Sequence, residues 1–119
     1  ADARLCQAVA EGFGPGVVNL CGQTGVEEFV GLIAASAGVV CCDSAAKFIA
    51  SAVGSPCVTL IGPTRAELTG PYPGGRCVVA DVPCQGCLKR RCCHVTCMQS
   101  IDPGDVVCAA ESMLDRQGR

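Results

Sequence analysis

The stretch Gly38-Val39-Val40-Cys41-Cys42-Asp43-Ser44-Ala45-Ala46-Lys47 decides the fold of this chain. It opens with a short apolar run that contains β-branched residues and follows glycine, which is typical of a strand buried on both faces. A helix pattern from Ala45 to Val53 comes next, and then a second apolar run, Cys57–Ile61. This alternation predicts a parallel α/β sheet, in which ligands bind at the carboxyl ends of the strands.

The sequence before this stretch predicts three more elements. Residues 3–13 form a helix pattern, and the apolar run at 16–20 predicts another strand. Thr24 followed by Glu27 has the spacing of a capping box. The helix that it opens carries its apolar residues at helical spacing: Val26, Phe29, Val30, Ile33 and Ala34.

The sequence after it predicts two more. Residues 76–80 form a strand pattern. Asp102 is placed to cap a last helix, and Pro103 suits the first turn of that helix. With the elements above, these complete a Rossmann-like parallel sheet with flanking helices.

Length and composition fit one small domain over residues 1–119. Half of the residues are hydrophobic, but the aromatic ones are only three Phe and one Tyr, so aliphatic side chains must build the core. A formal net charge of −2 gives no overall field for nucleic acid or an anionic membrane. No apolar run approaches the ~18 residues of a spanning helix, and nothing resembles a signal peptide. Since the sequence begins at Ala1 with what reads as the remnant of a helix, we expect a fragment of a longer protein.

The turn from Asp43 to Lys47 has the residue types of a phosphate-binding site. A helix that starts at Ser44 or Ala45 presents unpaired N–H groups and the positive end of its dipole to an anion. Small side chains at Ala45 and Ala46 let a ligand approach, Ser44 adds a hydroxyl donor, and Lys47 adds a mobile cation. Asp43 would repel a diphosphate, so we expect it to cap the helix or to hold sugar hydroxyls. The open alternative is an ordinary helix cap without a ligand.

Seven of the twelve cysteines lie inside or beside apolar elements. Free cysteine behaves as a small buried hydrophobe, and so we expect these residues to be reduced and to serve packing. The seven are Cys6, Cys21, Cys41, Cys42, Cys57, Cys77 and Cys108.

The other five cysteines are crowded into a loop at residues 84–97. Cys93 and His94 compete there with Cys92 for the place of a third metal ligand. An iron–sulfur cluster, disulfides and free thiols are the alternatives to zinc. The set with two, four and four intervening residues suits a tetrahedral, structural zinc site: Cys84, Cys87, Cys92 and Cys97.

The same loop supports a rival function. Its spacing resembles a zinc knuckle, and Lys89, Arg90 and Arg91 could contact phosphates, as in a nucleic-acid-binding module. No aromatic residue lies between Cys84 and Cys97 to stack on bases, so we expect a solvated loop and no nucleic-acid partner. A secreted disulfide scaffold is disfavoured by the parallel α/β pattern.

Short motifs are spread through most of the chain, over residues 17–114. Their order along the chain and the spacing between them resemble those of the heptosyltransferase-type family 9 glycosyltransferases. The motifs are Asn19-Leu20-Cys21-Gly22-Gln23-Thr24, Val26-Glu27-Glu28, Leu32-Ile33-Ala34-Ala35, Val39-Val40, Asp43-Ser44, Ile49-Ala50-Ser51-Ala52-Val53-Gly54-Ser55-Pro56, Leu60-Ile61-Gly62-Pro63-Thr64, Gly70-Pro71-Tyr72 and Ile101-Asp102-Pro103.

The resemblance implies an inverting enzyme of the GT-B type, with two Rossmann-like halves facing a cleft. This chain resembles the carboxyl-terminal half, which in the family binds an ADP-activated sugar and needs no metal for catalysis. The amino-terminal half, to which nothing here corresponds, supplies the acceptor site and a carboxylate base. The implied reaction transfers heptose or a related sugar to a lipopolysaccharide-type glycolipid. We expect a cytoplasmic protein, with peripheral association at the inner membrane face left open.

Site residues follow from the resemblance by position. Thr24 falls near the adenine, and the Gly62-Pro63-Thr64 loop borders the donor. The turn with Asp43, Ser44, Ala45, Ala46 and Lys47 falls at the diphosphate, and no catalytic residue is expected in this half. Ala45 stands where the family has glycine and Phe48 where it has histidine. These departures leave open a non-catalytic nucleotide-binding domain.

Overall fold

The protein is described by a computed structural model that covers residues 2–116. Three strands alternate with helices through most of this length, as the sequence predicts. In chain order the elements are α1 (Asp2–Phe13), α2 (Val26–Ala35), β1 (Val39–Cys42), α3 (Ala45–Val53), β2 (Cys57–Ile61), α4 (Ala66–Thr69), β3 (Arg76–Val79), α5 (Thr96–Gln99) and α6 (Pro103–Asp115).

The strands form one parallel sheet in the order β1-β2-β3. Val39 of β1 pairs with Cys57 of β2, and Val58 of β2 pairs with Arg76 of β3. Parallel neighbours need a crossover connection, and α3 supplies it between β1 and β2. The predicted α/β, Rossmann-like class is therefore confirmed.

The core lies between the sheet and the helices α2 and α3. Ile33, Ala50 and Cys57 are buried there, and Val39 and Cys41 pack against them. Because side chains alternate along a strand, Val58 faces the other side of β2. Helices α5 and α6 contact the sheet as well, and Val58 is fully buried. The central strand β2 is thus covered on both faces, as its uninterrupted apolar sequence requires.

Helix α2 begins one residue later than the capping-box prediction. Gly25, not Thr24, is the N-cap residue. The backbone N–H of Gly25 donates to Glu28 Oε2 at 2.8 Å, so Glu28 takes the place predicted for Glu27. The Thr24–Glu27 pairing is therefore wrong by one position, although the helix is where its apolar spacing places it.

The strand predicted at residues 16–20 is not formed. This segment has no ladder to the three-stranded sheet, and in the structure it lies beside α1, none of whose residues is buried. Val40 at the free edge of the sheet stays 52% exposed. An apolar groove of about 790 Å³ runs between these parts, and its apolar lining includes Leu5, Val9, Val17, Val18, Leu20, Phe29, Leu32 and Val40.

The carboxyl-terminal elements follow the sequence prediction. Strand β3 ends at Val79, one residue before the predicted end. Asp102 caps α6 by accepting the backbone N–H of Gly104 at 2.7 Å, and Pro103 begins the helix. Within residues 2–116 we find no helix that combines the length and the apolar character needed to cross a membrane.

Candidate functional site

The candidate site lies at the carboxyl edge of the sheet. Strand β1 ends at Cys42, and its register pairs Cys42 with Leu60 near the end of β2. The turn after β1 and the Gly62-Pro63-Thr64 loop after β2 therefore leave the sheet side by side. Ligands of open α/β sheets bind at such edges.

The start of α3 is open to solvent. Ser44 is its N-cap residue, but the Ser44 side chain makes no capping hydrogen bond, and both Ser44 and Ala45 are exposed. Ala46 is half-buried and packs against the core. The first N–H groups of α3 are thus not used by the cap and carry the positive end of the helix dipole.

Ala45 adopts its place without backbone strain. Among the described residues, the non-glycine positions with a left-handed φ are Leu88 and Val95. Ala45 is not one of them, and alanine can replace glycine at little cost where φ is negative. The family's glycine at this position is therefore not needed for the backbone geometry seen here.

Asp43 and Lys47 form a buried ion pair across one helical turn. The Lys47 ammonium also donates to the backbone carbonyl of Thr69, and the Thr69 hydroxyl donates to Asp43 Oδ2 at 2.9 Å. Lys47 is only 2% exposed. The prediction of a mobile Lys47 cation is wrong, because its charge is held inside the protein by these partners. Whether it contacts a donor stays a prediction.

The predicted capping role of Asp43 is also wrong. Its carboxylate accepts from Lys47 and Thr69 instead of from the backbone N–H groups of α3. Burial by itself raises the pKa of Asp43, but the hydrogen bonds from Lys47 and Thr69 and the nearness of the Thr64 hydroxyl outweigh it, so the pKa is lowered. Asp43 is thus ionised and neutralised by Lys47 at neutral pH.

Thr64 is the unexplained polar group of the site. Its hydroxyl contributes to the lowered pKa of Asp43, which places it near that carboxylate. It makes no hydrogen bond of ordinary geometry, although Thr64 Oγ1 is buried. Buried hydroxyls are nearly always hydrogen-bonded, and one without a partner is a place for a ligand atom.

Phe48 and Tyr72 enclose the ammonium of Lys47. Their ring centroids lie 5.8 Å apart in an edge-to-face arrangement, and Lys47 Nζ lies 4.7 Å from the Phe48 centroid. A cation over an aromatic face is stabilised by the ring quadrupole. Phe48 therefore has a structural role, which is to stabilise the buried Lys47 ammonium.

Thr24 lies apart from this network. It is half-buried and lines the apolar groove next to α2. In residues 2–116 no hydrogen bond joins Thr24 to Asp43, Lys47 or Thr64. Its placement near an adenine stays a prediction.

The cysteine loop packs against the Gly62-Pro63-Thr64 loop. Leu88 N–H donates to the Pro63 carbonyl at 2.7 Å, and Gln85 Nε2 donates to the Thr64 carbonyl at 3.1 Å. Arg65 Nε donates back to the Gly86 carbonyl at 3.0 Å. These bonds connect the cysteine loop to the edge of the sheet that carries the candidate site.

The predicted metal ligands share one cavity but do not form a coordination sphere. Cys84, Cys87, Cys92 and Cys97 line a cavity of about 360 Å³, together with His94. Across the part of the chain that the structure describes, no group of three or more Cys, His, Asp or Glu side chains is arranged to hold a metal ion. Cys93 is exposed and does not line the cavity.

The packing prediction for the other seven cysteines is partly right. Cys57 is buried, and Cys6, Cys41 and Cys77 are half-buried. Burial and a contact of 3.5 Å between its Sγ and Cys57 Sγ raise the pKa of Cys41 to about 12, which makes it an unreactive thiol. The prediction is wrong for three residues whose side chains are exposed: Cys21, Cys42 and Cys108.

Sequence reasoning missed Thr69. Its side chain and carbonyl complete the Asp43–Lys47 pair from 26 and 22 residues away, respectively. The local sequence of α4 carries no signal for this contact, because only the tertiary fold brings α4 to the turn after β1.

The chain belongs to glycosyltransferase family 9 (heptosyltransferase), whose family model matches residues 1–97. It is also 43% identical over 68 residues to lipooligosaccharide heptosyltransferase 2 of Haemophilus influenzae. That match covers 57% of this chain and 20% of the relative, so the chain spans a minor part of the relative's length. No solved structure matches the chain.

The extent of the family match bears on two sequence predictions. It runs through Cys97, so the whole cysteine loop lies within the family match, and a separate nucleic-acid-binding module is not favoured. It ends before Ile101-Asp102-Pro103, so the likeness of that last motif lies outside the matched residues.

Proposed function

We propose that this chain is the donor-binding half of an inverting glycosyltransferase and that it holds the diphosphate of an ADP-heptose-like sugar at the start of α3. Membership of family 9 supports a sugar-transfer role. The name of the Haemophilus relative supports a heptose donor and a lipooligosaccharide acceptor, in lipopolysaccharide or cell-surface glycan synthesis. The reaction would take place in the cytoplasm, where nucleotide sugars are used.

One observation carries the proposal. The uncapped, exposed start of α3 lies beside a loop whose Thr64 hydroxyl is buried without a hydrogen-bond partner. Backbone N–H groups at a helix start favour an anion, and the Thr64 hydroxyl can donate to one of its oxygens. A diphosphate could accept hydrogen bonds from the helix-start N–H groups and from the Thr64 hydroxyl at the same time.

The charge of the site is compatible with this ligand. An unpaired Asp43 would repel a diphosphate, but its pairing with Lys47 removes most of that repulsion. The helix dipole and the Ser44 hydroxyl then supply the attraction, and a free lysine is not required. The exposed position of Ser44 leaves its hydroxyl available to a phosphate oxygen.

In the reaction that we propose, the acceptor hydroxyl attacks the anomeric carbon while a base removes its proton. The nucleoside diphosphate departs, and the start of α3 stabilises the charge that develops on it. The base and the acceptor site belong to the rest of the enzyme, so we expect this chain alone to bind nucleotide and not to turn over a donor.

Calorimetric titration with ADP tests the proposal. We expect Ser44→Ala and Thr64→Val each to weaken ADP binding roughly three- to tenfold, since each removes one hydrogen bond to the ligand. Ser100→Ala, at an exposed position after α5, is the control and should bind as the parent chain does. No binding at millimolar ADP, or equal binding by all four proteins, would overturn the proposal.

A further inference from the structure

Four of the five cysteines in the loop of residues 84–97 lie around one cavity. Cys84, Cys87, Cys92 and Cys97 line one cavity, whereas Cys93 points elsewhere and is exposed. These four are the residues whose spacing suits a tetrahedral ion. The fold thus brings together the set that the spacing predicts, from positions up to 13 residues apart.

The backbone of the loop is bent at two uncommon points. Leu88, directly after Cys87, has a φ of 58°, and Val95, two residues before Cys97, has a φ of 38°. Left-handed backbone is costly for a β-branched residue such as Val95. Both bends lie within the loop that lines the cavity, each within two residues of a cysteine of the set.

We propose that Cys84, Cys87, Cys92 and Cys97 bind one Zn²⁺ ion, and that this ion fixes the loop that carries Thr64. The residue types and spacing are those of a closed structural site, with no position left for a substrate. Lys89, Arg90 and Arg91 also line the cavity and offset part of the negative charge of four thiolates.

The electrostatics of the thiols agree with this assignment. Four thiolates in one cavity repel one another, and a divalent cation removes that repulsion.

Metal binding has to contract the loop. No three of these side chains are yet arranged to hold an ion, and Cys87 is still exposed. Closing the site requires Cys87 to move toward the cavity. The residue after it, Leu88, donates its N–H to the Pro63 carbonyl, so this movement acts on the loop after β2. Cys97 Sγ in turn lies only 3.6 Å from where a Cβ on Gly62 would stand. The ion would therefore connect Gly62 and Pro63, the two residues before Thr64, to one point.

Metal analysis of the purified chain tests the proposal. We expect roughly one zinc per chain after purification under reducing conditions, as for a closed four-thiolate site. Cobalt titrated into the zinc-free chain should give the intense visible bands of a tetrahedral thiolate site. Cys92→Ser should lose zinc and these bands, while the adjacent Cys93→Ser should keep both.

A second measurement uses the parent chain, so it does not require a cysteine variant to fold. Modification of the parent chain with a thiol reagent should release zinc in step with the loss of four thiols, as read with a zinc indicator. Zinc should also slow amide exchange in residues 62–65. A chain that binds neither zinc nor cobalt, a disulfide among the four residues in the native protein, or bound iron would each overturn the assignment. None of these readouts uses nucleotide, so the result stands apart from that of the ADP titration.

Discussion

The ammonium of Lys47 is a charge buried away from water, and the residues around it show what that burial requires. Removing a charge from water is costly unless it is paired and hydrogen-bonded. Asp43 provides the opposite charge, Thr69 provides a carbonyl, and the rings of Phe48 and Tyr72 cover the remaining side. Each residue of this set therefore depends on the others.

Breaking the pair from one side should be far worse than removing it entirely. We expect Lys47→Met to destabilise the fold by about 3–5 kcal/mol, because it leaves Asp43 buried and unpaired. The double variant Asp43→Asn, Lys47→Met should recover part of that loss. Urea unfolding of the three proteins measures this, with Lys89→Met at an exposed lysine as the matched control. Equal losses in the single and double variants would contradict the coupling.

The same pair predicts how stability depends on pH. Since the pKa of Asp43 is lower in the folded state than in the unfolded chain, its stabilisation is complete above the unfolded value of about 4. It is lost as the pH falls through the lower, folded pKa. Unfolding free energy measured from pH 6 downward should therefore fall less steeply in Asp43→Asn than in the parent chain. Asp81→Asn, at an exposed carboxylate, is the control variant.

Residue types near the turn could be predicted from the sequence, but their partners could not. Asp43, Ser44 and Ala45 stand at the start of α3, as the strand-to-helix pattern predicts. The sequence shows Lys47 one turn into the helix, yet whether a lysine there points to solvent or to the interior depends on α4. Thr69 decides the matter, and no local pattern links it to Asp43.

At the scale of elements, α5 and the loop after β2 are in close contact. A Cβ on Gly62 would lie 2.6 Å from Met98 Sδ and 2.9 Å from Met98 Cγ, so a larger residue would force the Met98 side chain to shift. The short helix thus supports the backbone that presents Thr64. This contact, and not a special φ, explains why glycine stands at position 62.

We expect Gly62→Ala to destabilise the fold by about 1–3 kcal/mol through overpacking. Adding Met98→Ala should relieve the clash and return part of the stability. Gly31→Ala in α2, where a Cβ would meet nothing within 4 Å, is the control and should not destabilise. Thermal unfolding of these variants is the measurement. A neutral Gly62→Ala would show that the loop and α5 are not tightly packed.

A helix or strand could be predicted where its apolar pattern is matched by a neighbouring element for it to pack against. Strands β1 and β2 and helices α2, α3 and α6 lie where the apolar patterns place them, because each packs part of its apolar side against another element of this chain. Residues 16–20 have an equally apolar sequence but form no strand. A strand needs hydrogen-bonded pairing as well as a pattern, and here that segment lies beside the groove and α1 and does not pair with the free edge of β1.

For the whole molecule, burial is uneven, and this sets how stability is distributed. Val58 and Ile61 of the central strand are fully buried, whereas α1 has no buried residue and leaves Leu5 68% exposed. Local opening free energies follow such differences in buried contact. The chain therefore has a firm sheet and a weakly held amino-terminal helix that borders an apolar groove.

Amide hydrogen exchange should reproduce this gradient. We expect the amides of β2 to exchange only through global unfolding and those of α1 to exchange orders of magnitude faster, because opening α1 exposes little apolar surface that was buried. Two substitutions give the same contrast in energy: Ile61→Ala should cost about 2–5 kcal/mol, and Leu5→Ala should stay within about 0.5 kcal/mol of the parent chain. Equal protection of α1 and β2, or a large loss from Leu5→Ala, would mean that α1 packs on the groove more firmly in solution than its exposure indicates.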